Sequence, residues 1–196
     1  MDLELVPLIL FGIAAGFSPG PNNIVTSYSA FNFGFTKTVP TILGVVSGWT
    51  LLSILLVLGS GFIFKKFEEL QIIIKVLGSV YLIFLAYKIS FSKIKTKKKK
   101  SEPLTFLNIF FFQFVNPKSI IAGLTAISLF IDTQNNYLHD SIIFVIIMFF
   151  IAIGSQATWC LMGTYLRKFA TSEKFMSNFN YTMSFFLIVC VIMFYV

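Results

Sequence analysis

The stretch Phe17-Ser18-Pro19-Gly20-Pro21-Asn22-Asn23 decides the fold, because it interrupts an apolar run that is long enough to cross a lipid bilayer. A glycine with one proline on each side cannot continue a regular helix, since each proline lacks a backbone donor and clashes with the preceding turn. A backbone group freed inside hydrocarbon is tolerated only where protein or a water-filled cavity surrounds it. The stretch therefore predicts a membrane helix that is broken at a binding site.

The composition of the chain is that of a membrane protein. It has 196 residues, of which 57% are hydrophobic and 12% are charged, and its mean hydropathy is +0.86. A soluble domain carries roughly 25% charged residues. Apolar windows of bilayer length recur along the sequence, so we predict an all-α polytopic membrane protein with six transmembrane helices. The predicted spans are 3–31, 38–64, 71–89, 104–131, 137–165 and 179–196.

Charged residues between the spans predict the orientation of the chain. The net charge is +7, but most cations lie beside spans, so we expect contact with membrane lipid and no nucleic-acid partner. Segment 92–103 holds a run of lysines, and short basic loops stay in the cytoplasm. Counting the spans outwards then places both termini outside a bacterial inner membrane. Asp2 and Glu4 favour a retained first span over a cleaved signal peptide.

A second proline break, Asn116-Pro117-Lys118, lies in the fourth span. Each half of the chain then has three spans and a break in its first span, and at about 1.5 Å per residue both breaks fall near the bilayer midplane. Paired broken helices in inverted repeats indicate the substrate site of a transporter. We predict one domain over 1–196, with repeats 1–91 and 104–196 joined by the linker 92–103.

The first break predicts an anion site. Pro19, Gly20 and Pro21 should end one half-helix and start another, whose free amides and positive dipole end attract negative charge. Asn22 and Asn23 add further donors and acceptors at the same depth. The alternative is a packing kink in which the two asparagines bond neighbouring helices.

The second break carries a charge at membrane depth, Lys118. A cation at the centre of a span costs about 2.5–3.5 kcal/mol on insertion scales, which makes it a functional candidate. Lys118 could pair with a substrate carboxylate or lose its proton in coupling, or it could snorkel or donate to carbonyls that Pro117 frees. Gln113 and Asn116 lie beside it. Gln156 in the fifth span could line the cavity or bond another helix.

Other functions lack their residues in the sequence. Glu4 and Asp140 lie at the ends of predicted spans and are expected outside; no Asp or Glu lies deeper in a span, and no hydrolase triad, phosphate-binding loop or metal-ligand cluster is visible. We therefore predict that the protein is not an enzyme and needs no cofactor. Two alternatives stay open at this point. A transmembrane thiol–disulfide carrier of similar helix count would need facing cysteines, expected in spans one and four, whereas Cys160 and Cys190 lie in spans five and six. A metal-ion exporter would want His, Cys or carboxylate ligands in the spans, and these are scarce.

The same residues resemble a known family. The pattern Pro19-Gly20-Pro21-Asn22, then Gly34-Phe35, Gly44 and Gly48, is similar to that of the LysE/RhtB family of amino-acid exporters. Asn116-Pro117-Lys118 also matches, and the resemblance covers essentially the whole chain. Residues 113–126 look most like the cysteine/O-acetylserine exporter branch. Gly44 and Gly48 also form a small face that suits close helix packing.

The resemblance implies an inner-membrane exporter of small amino acids that exchanges them for protons. It also implies a central site lined by Pro19, Gly20, Pro21, Asn22, Asn116, Pro117 and Lys118. Residues 127–132 lack a Pro-Gln-Phe sequence that many members carry, so a basic amino acid is not supported as substrate. Our hypothesis for the mechanism is alternating access, in which one three-helix repeat rocks against the other. A homo-oligomer is left open.

Overall fold

The computed structural model describes residues 5–60, 68–91, 103–131, 136–170 and 172–195. In these ranges the regular elements are helices, numbered here in chain order: α1 (Leu5–Phe17), α2 (Pro21–Phe33), α3 (Phe35–Leu55), α4 (Glu68–Ser90), α5 (Phe106–Phe112), α6 (Pro117–Phe130), α7 (Tyr137–Arg167) and α8 (Glu173–Met193). A wide turn, Leu56–Ser60, follows α3, and a 3-10 turn, Gln113–Val115, extends α5. The predicted lysine linker lies almost entirely outside the described residues.

The helices account for the predicted spans. Four of them are each long and apolar enough to cross a membrane, namely Phe35–Gly59, Ile72–Ser90, Tyr137–Arg167 and Glu173–Met193. Two more spans form if each bent pair counts as one, α1 with α2 and α5 with α6. These pairs are bent by 53° and 57°. The prediction of an all-α polytopic membrane protein is confirmed, and so are both breaks, in the first and fourth spans.

Proline fixes where both broken spans restart. Gly20 has an extended backbone (φ −169°, ψ 175°), and Pro21 is the first residue of α2. Asn116 is also extended (φ −85°, ψ 104°), and Pro117 is the first residue of α6. The first amide of a helix has no intrahelical partner, so a proline there loses no hydrogen bond. The second half of each broken span therefore begins in the same way, with an extended residue followed by a proline.

The last helix begins earlier than the sequence predicts. The apolar pattern predicts a start at 179, whereas α8 begins at Glu173. Ser172 is its N-cap, and the Ser172 side-chain oxygen accepts a hydrogen bond from the Phe175 amide at 3.1 Å. A serine cap and a carboxylate in the first turn both favour a helix start. Polar residues therefore form a turn of helix ahead of the apolar part.

Glycines let the helices around the breaks approach closely. A Cβ at Gly48 would lie 2.6 Å from the Phe110 carbonyl oxygen, and Gly44 makes the same kind of contact between α3 and α5. A Cβ at Gly78 would meet the Val115 carbonyl, so α4 lies against the second break. Small residues are typical of such contacts in membranes. The predicted packing role of Gly44 and Gly48 is confirmed.

Contacts between helices place α2 at the centre of the fold. Its residues from Asn23 to Phe31 are buried, and it packs against α3, α7 and α8. In addition α3 contacts α7, and α4 contacts α8. The second span of one half thus meets the second span of the other, and the third meets the third. A two-fold relation between the halves would give these pairs, although the inverted repeat and its boundaries stay predictions.

Candidate functional site

The two breaks meet through their amide side chains. Asn22 Nδ2 donates to Gln113 Oε1 at 2.8 Å, and Gln113 Nε2 donates back to Asn22 Oδ1 at 3.0 Å. Asn116 Nδ2 reaches the same Asn22 oxygen at 3.4 Å. Asn22 lies in the first turn of α2, and Asn116 directly precedes α6. These bonds therefore join the break of the first span to the break of the fourth.

Lys118 makes a second connection between the breaks. Its Nζ donates to Ser18 Oγ at 2.8 Å, to the Ser18 carbonyl at 3.1 Å and to the Pro19 carbonyl at 3.3 Å. The sequence left open that Lys118 bonds carbonyls freed by Pro117, whereas it bonds those freed by the other break. All of these acceptors are neutral, and no carboxylate within the described ranges forms an ion pair with it.

Four consecutive carbonyls at the end of α1 and in the break, those of residues 16–19, all accept hydrogen bonds from side chains. The donors are Asn23 and Ser155 to Gly16 (2.8 and 2.7 Å), Trp159 to Phe17 (3.3 Å), Asn23 and Lys118 to Ser18 (2.8 and 3.1 Å), and Lys118 to Pro19 (3.3 Å). A helix end leaves such carbonyls without intrahelical partners. Donors from α2, α6 and α7 therefore make this break stable at membrane depth.

Asn23 also joins the break to α7. Asn23 Oδ1 accepts a hydrogen bond from Gln156 Nε2 at 2.7 Å, and Gln156 Oε1 accepts one from Thr26 Oγ1 at 2.5 Å. All three side chains are buried. Both alternatives for Gln156 hold, because it bonds α2 and also lines the cavity. Thr26 was not predicted, although its place one turn after Asn22 is a signal, since residues four apart share a helix face.

A cavity of about 90 Å³ lies beside the breaks. Holding one water takes roughly 10–15 Å³ of such volume, so this cavity could hold several waters or one small organic molecule. The predicted site residues that line it are Gly20, Pro21, Asn22, Asn23, Asn116, Lys118 and Gln156. The structure does not bring Pro19, Gln113 or Pro117 into its wall. Gln113 is instead fully buried and holds Asn22.

The cavity extends from the breaks toward one side of the predicted membrane. Phe11 in α1, Ala126 in α6 and Met148 in α7 line its other end. These residues lie toward the start of α1, the end of α6 and the start of α7. All three of these helix ends lie on the side of the membrane that the sequence predicts to be outside. The cavity is therefore polar at the breaks and apolar on that side.

One carboxylate at the outer end of the predicted fifth span is buried. Asp140 was expected to lie outside; it belongs to the first turn of α7 and is 2% exposed. His139 Nδ1 lies 3.2 Å from its Oδ1. The positive end of the helix dipole favours a carboxylate in this turn, which explains how the acid extends the helix. Asp140 does not line the cavity.

The residues behind the two alternative functions lie elsewhere. Cys160 and Cys190 are free and buried, in α7 and α8. Neither lines the cavity at the breaks. In the part of the chain that the structure describes, no group of three His, Cys, Asp or Glu side chains could hold a metal ion.

Comparison with protein families identifies the chain. Residues 13–196 match the family model described as LysE type translocator. The chain belongs to the LysE-type translocator family. LysE-type translocators are membrane transporters and not enzymes, which confirms the resemblance drawn from the proline motifs and the prediction that this protein is not an enzyme.

Individual relatives cover almost the full length of this LysE-type translocator. A cysteine/O-acetylserine efflux protein of Escherichia coli is 27% identical over 183 residues, which span 93% of this chain and 92% of the relative. A protein of the same description from Shigella flexneri is 26% identical over 194 residues, 96% of this chain and 98% of the relative. The predicted likeness to this branch is confirmed. No solved structure matches the chain significantly.

Proposed function

We propose that this translocator exports small neutral amino acids of the cysteine and O-acetylserine type across a bacterial inner membrane, in exchange for protons. The observation that carries the proposal is the meeting of two broken spans around a cavity that holds one ammonium group and several amides. The relatives named for cysteine/O-acetylserine efflux support the substrate class.

The polar end of the cavity suits an amino-acid carboxylate. The backbone N–H groups of Asn22 and Asn23 lie in the first turn of α2, where they have no intrahelical acceptor, and both residues line the cavity. Lys118 lines the same space, with neutral acceptors around its ammonium. A helix start together with a cation favours an anion more than either alone. The carboxylate of the substrate would bind between them.

Binding at Lys118 would alter the first break. An ammonium has three N–H donors, and Ser18 and Pro19 already supply three acceptors to this one. A carboxylate must therefore displace at least one of them. A carboxylate adds the attraction between opposite full charges to its hydrogen bonds with the ammonium, which the neutral oxygens of Ser18 and Pro19 cannot supply, so the carboxylate prevails. The end of α1 then loses part of its cap, which links substrate binding to movement at the break.

The side of the breaks away from the cavity is closed by side chains that we call the inner seam: Ser29, Asn32, Thr38 and Asn180. Ser29 Oγ lies 3.0 Å from Thr38 Oγ1, and Asn32 Nδ2 donates to Asn180 Oδ1 at 2.8 Å. With the predicted orientation, this seam faces the cytoplasm and the cavity faces outward. Alternating access would open the seam and close the apolar end of the cavity.

Proton exchange would occur beside protonated Lys118, which lines the cavity with no Asp or Glu. The amino acid would give its ammonium proton to the cytoplasm when it binds there, cross as an anion paired with Lys118, and take a proton from outside when it leaves. One proton then moves inward, in effect, for each substrate exported. In this orientation both termini lie outside, and the run of lysines in the sequence assigns segment 92–103 to the cytoplasmic side.

Transport into inverted membrane vesicles tests the proposal. We expect vesicles with an acid lumen to accumulate cysteine and O-acetylserine, and to stop when the pH gradient is collapsed. Lys118→Ala should lower the initial rate at least about 10-fold, since one charged hydrogen bond is worth roughly 1.5–3 kcal/mol. Lys88→Ala, in an exposed position of α4, is the matched control. A Lys118→Ala rate equal to wild type, at equal amounts of inserted protein, would rule out this site.

A further inference from the structure

The apolar end of the cavity is formed by one cluster of side chains. Phe11, Trp49, Ala126, Met148 and Ile151 all line the cavity and all belong to the same hydrophobic cluster. They come from the first, second, fourth and fifth spans. An apolar pocket with polar groups at one end is the usual form of a small-molecule site. The apolar end therefore has the chemistry of a pocket for part of a ligand.

Distances along α7 and α6 separate the two ends. Met148 precedes Ser155 by two helical turns, about 10 Å at the usual rise of a helix, and Ser155 Oγ donates to the Gly16 carbonyl near the first break. Ala126 lies a similar distance beyond Lys118 on α6. One small amino acid could therefore place its charged groups at the breaks and its side chain against the apolar cluster.

Met148 and Ile151 close the far end of the cavity against α1. A Cβ added at Gly12 would lie 2.5 Å from Ile151 Cδ1 and 3.0 Å from Met148 Cε. Both side chains thus rest on the glycine and leave no space between α7 and α1. The length that remains between Met148 and the breaks limits the ligand, and Met148 is the longest flexible side chain at that limit.

The charges around the cavity restrict the ligand further. None of its lining residues is Asp or Glu, and Lys118 supplies a positive charge. A cationic side chain would therefore enter the apolar end with no anion to pair with it. Burying an unpaired ammonium is far more costly than burying a thiol or an acetyl ester.

We infer that the apolar end is the pocket for the substrate side chain and that Met148 sets the longest side chain accepted. The inference rests on the proposed function, because it assumes an amino acid whose carboxylate lies at the breaks. The pocket takes short neutral side chains, such as a thiol or an acetyl ester. Longer unbranched side chains are excluded by contact with Met148, and basic side chains are excluded by charge.

A matched pair of methionine variants tests this inference. Met148 is 5% exposed and lines the cavity, whereas Met162 lies on the same helix and is 38% exposed. Binding of cysteine, O-acetylserine, methionine and lysine to the purified proteins is measured by thermal shift titration. We expect Met148→Ala to raise the affinity for methionine at least about 10-fold, as pocket contacts of this size discriminate. Met162→Ala should bind as wild type does, and lysine should bind none of the three proteins.

A filling variant covers the case in which Met148→Ala does not fold. Ala15 lines the cavity, and its neighbour Ala14 is exposed on the outside of α1. Ala15→Leu should weaken O-acetylserine at least about 10-fold more than cysteine, because the longer ligand loses its space first. Ala14→Leu adds the same group away from the cavity and should change neither affinity.

The outcomes separate this inference from the proposed function. Folded Met148→Ala and Ala15→Leu proteins that keep the wild-type order of affinities would overturn the pocket. A wild-type protein that binds other neutral amino acids but not cysteine or O-acetylserine would overturn the proposed substrate, while a shift toward longer ligands in Met148→Ala would uphold the pocket. If wild type binds no amino acid of the panel, both proposals are wrong.

Discussion

At the residue scale, Asn23 shows how one polar side chain stabilises broken backbone. It donates to the carbonyls of Gly16 and Ser18, and it accepts from Gln156. Each of these carbonyls keeps a second donor without Asn23, whereas the Gln156 amide would lose the acceptor it has there. The energetic weight of Asn23 therefore lies in its contact with α7.

We predict that Asn23→Leu destabilises the protein by about 1–3 kcal/mol, the usual cost of leaving one buried polar group unpaired. Thermal unfolding in detergent, followed by helical circular dichroism, should show a lower midpoint. Asn178→Leu, at an exposed position of α8, is the control and should unfold as wild type does. Equal midpoints for Asn23→Leu and wild type would mean that this network does not hold the break.

Local chemistry explains which site residues the sequence could supply. Asn22, Asn23 and Lys118 are polar groups beside prolines in apolar runs, and hydrocarbon makes each of them conspicuous. Ser155 and Trp159 cap the end of α1 from a helix more than a hundred residues away, and no periodicity reports such a partner. The meeting of the two breaks was predicted from their matching positions in the two halves, but the bonds of Lys118 to the Ser18 and Pro19 carbonyls were not, because side-chain partners across the fold leave no pattern in the sequence.

At the element scale, the contact between α3 and α5 positions the second break. The missing side chain of Gly48 lets α3 touch the Phe110 carbonyl and the side chain of Gln113, the partner of Asn22. A methyl group at Gly48 would push on both. A small residue on α3 thus affects an amide pair at the centre of the site, although Gly48 itself does not line the cavity.

A pair of glycine variants tests this contact. A Cβ at Gly48 would lie 2.6 Å from backbone, whereas a Cβ at Gly154 would lie 3.7 Å from the nearest atom, Phe17 Cζ. We predict that Gly48→Ala costs about 1–3 kcal/mol through overpacking. Gly154→Ala should be neutral, or stabilising by up to about 1 kcal/mol, because alanine favours a helix. Thermal midpoints of both variants decide it, and a midpoint of Gly48→Ala at or above that of Gly154→Ala would contradict the close contact.

Some helix ends could be predicted from local residues, and others could not, because the helix begins in polar residues outside the apolar run. Proline places the starts of α2 and α6 within the sequence itself. The start of α8 was missed because the hydropathy pattern follows the apolar, lipid-facing part of the helix, whereas the helix begins at the Ser172 cap in polar residues.

We predict that Ser172→Ala destabilises the protein by about 1 kcal/mol, as loss of an N-cap does. Thr182→Ala, at an exposed position inside the same helix, should not destabilise it. Thermal midpoints measure both.

At the scale of the whole molecule, the proposed alternating access requires two features to change. The cavity lies on one side of the breaks, and the hydrogen bonds of the inner seam lie on the other. The seam joins α2 to α8 through Asn32 and Asn180, and these helices belong to different halves of the chain. A movement of one half against the other must therefore separate Asn32 from Asn180, whereas a transporter that moved only side chains could leave them together.

A covalent cross-link across the inner seam is the most direct test of that movement. In a chain with Cys160→Ser and Cys190→Ser, we predict that Asn32→Cys with Asn180→Cys loses O-acetylserine transport when a short bifunctional thiol reagent bridges the pair, because the seam can no longer open. Each single variant, treated with the same reagent, should keep its untreated rate. The fraction bridged is read from the mass of the protein, and the initial rate from inverted vesicles. Transport at the untreated rate in fully bridged protein would show that the two halves do not part at the seam, and alternating access around the breaks would then be wrong.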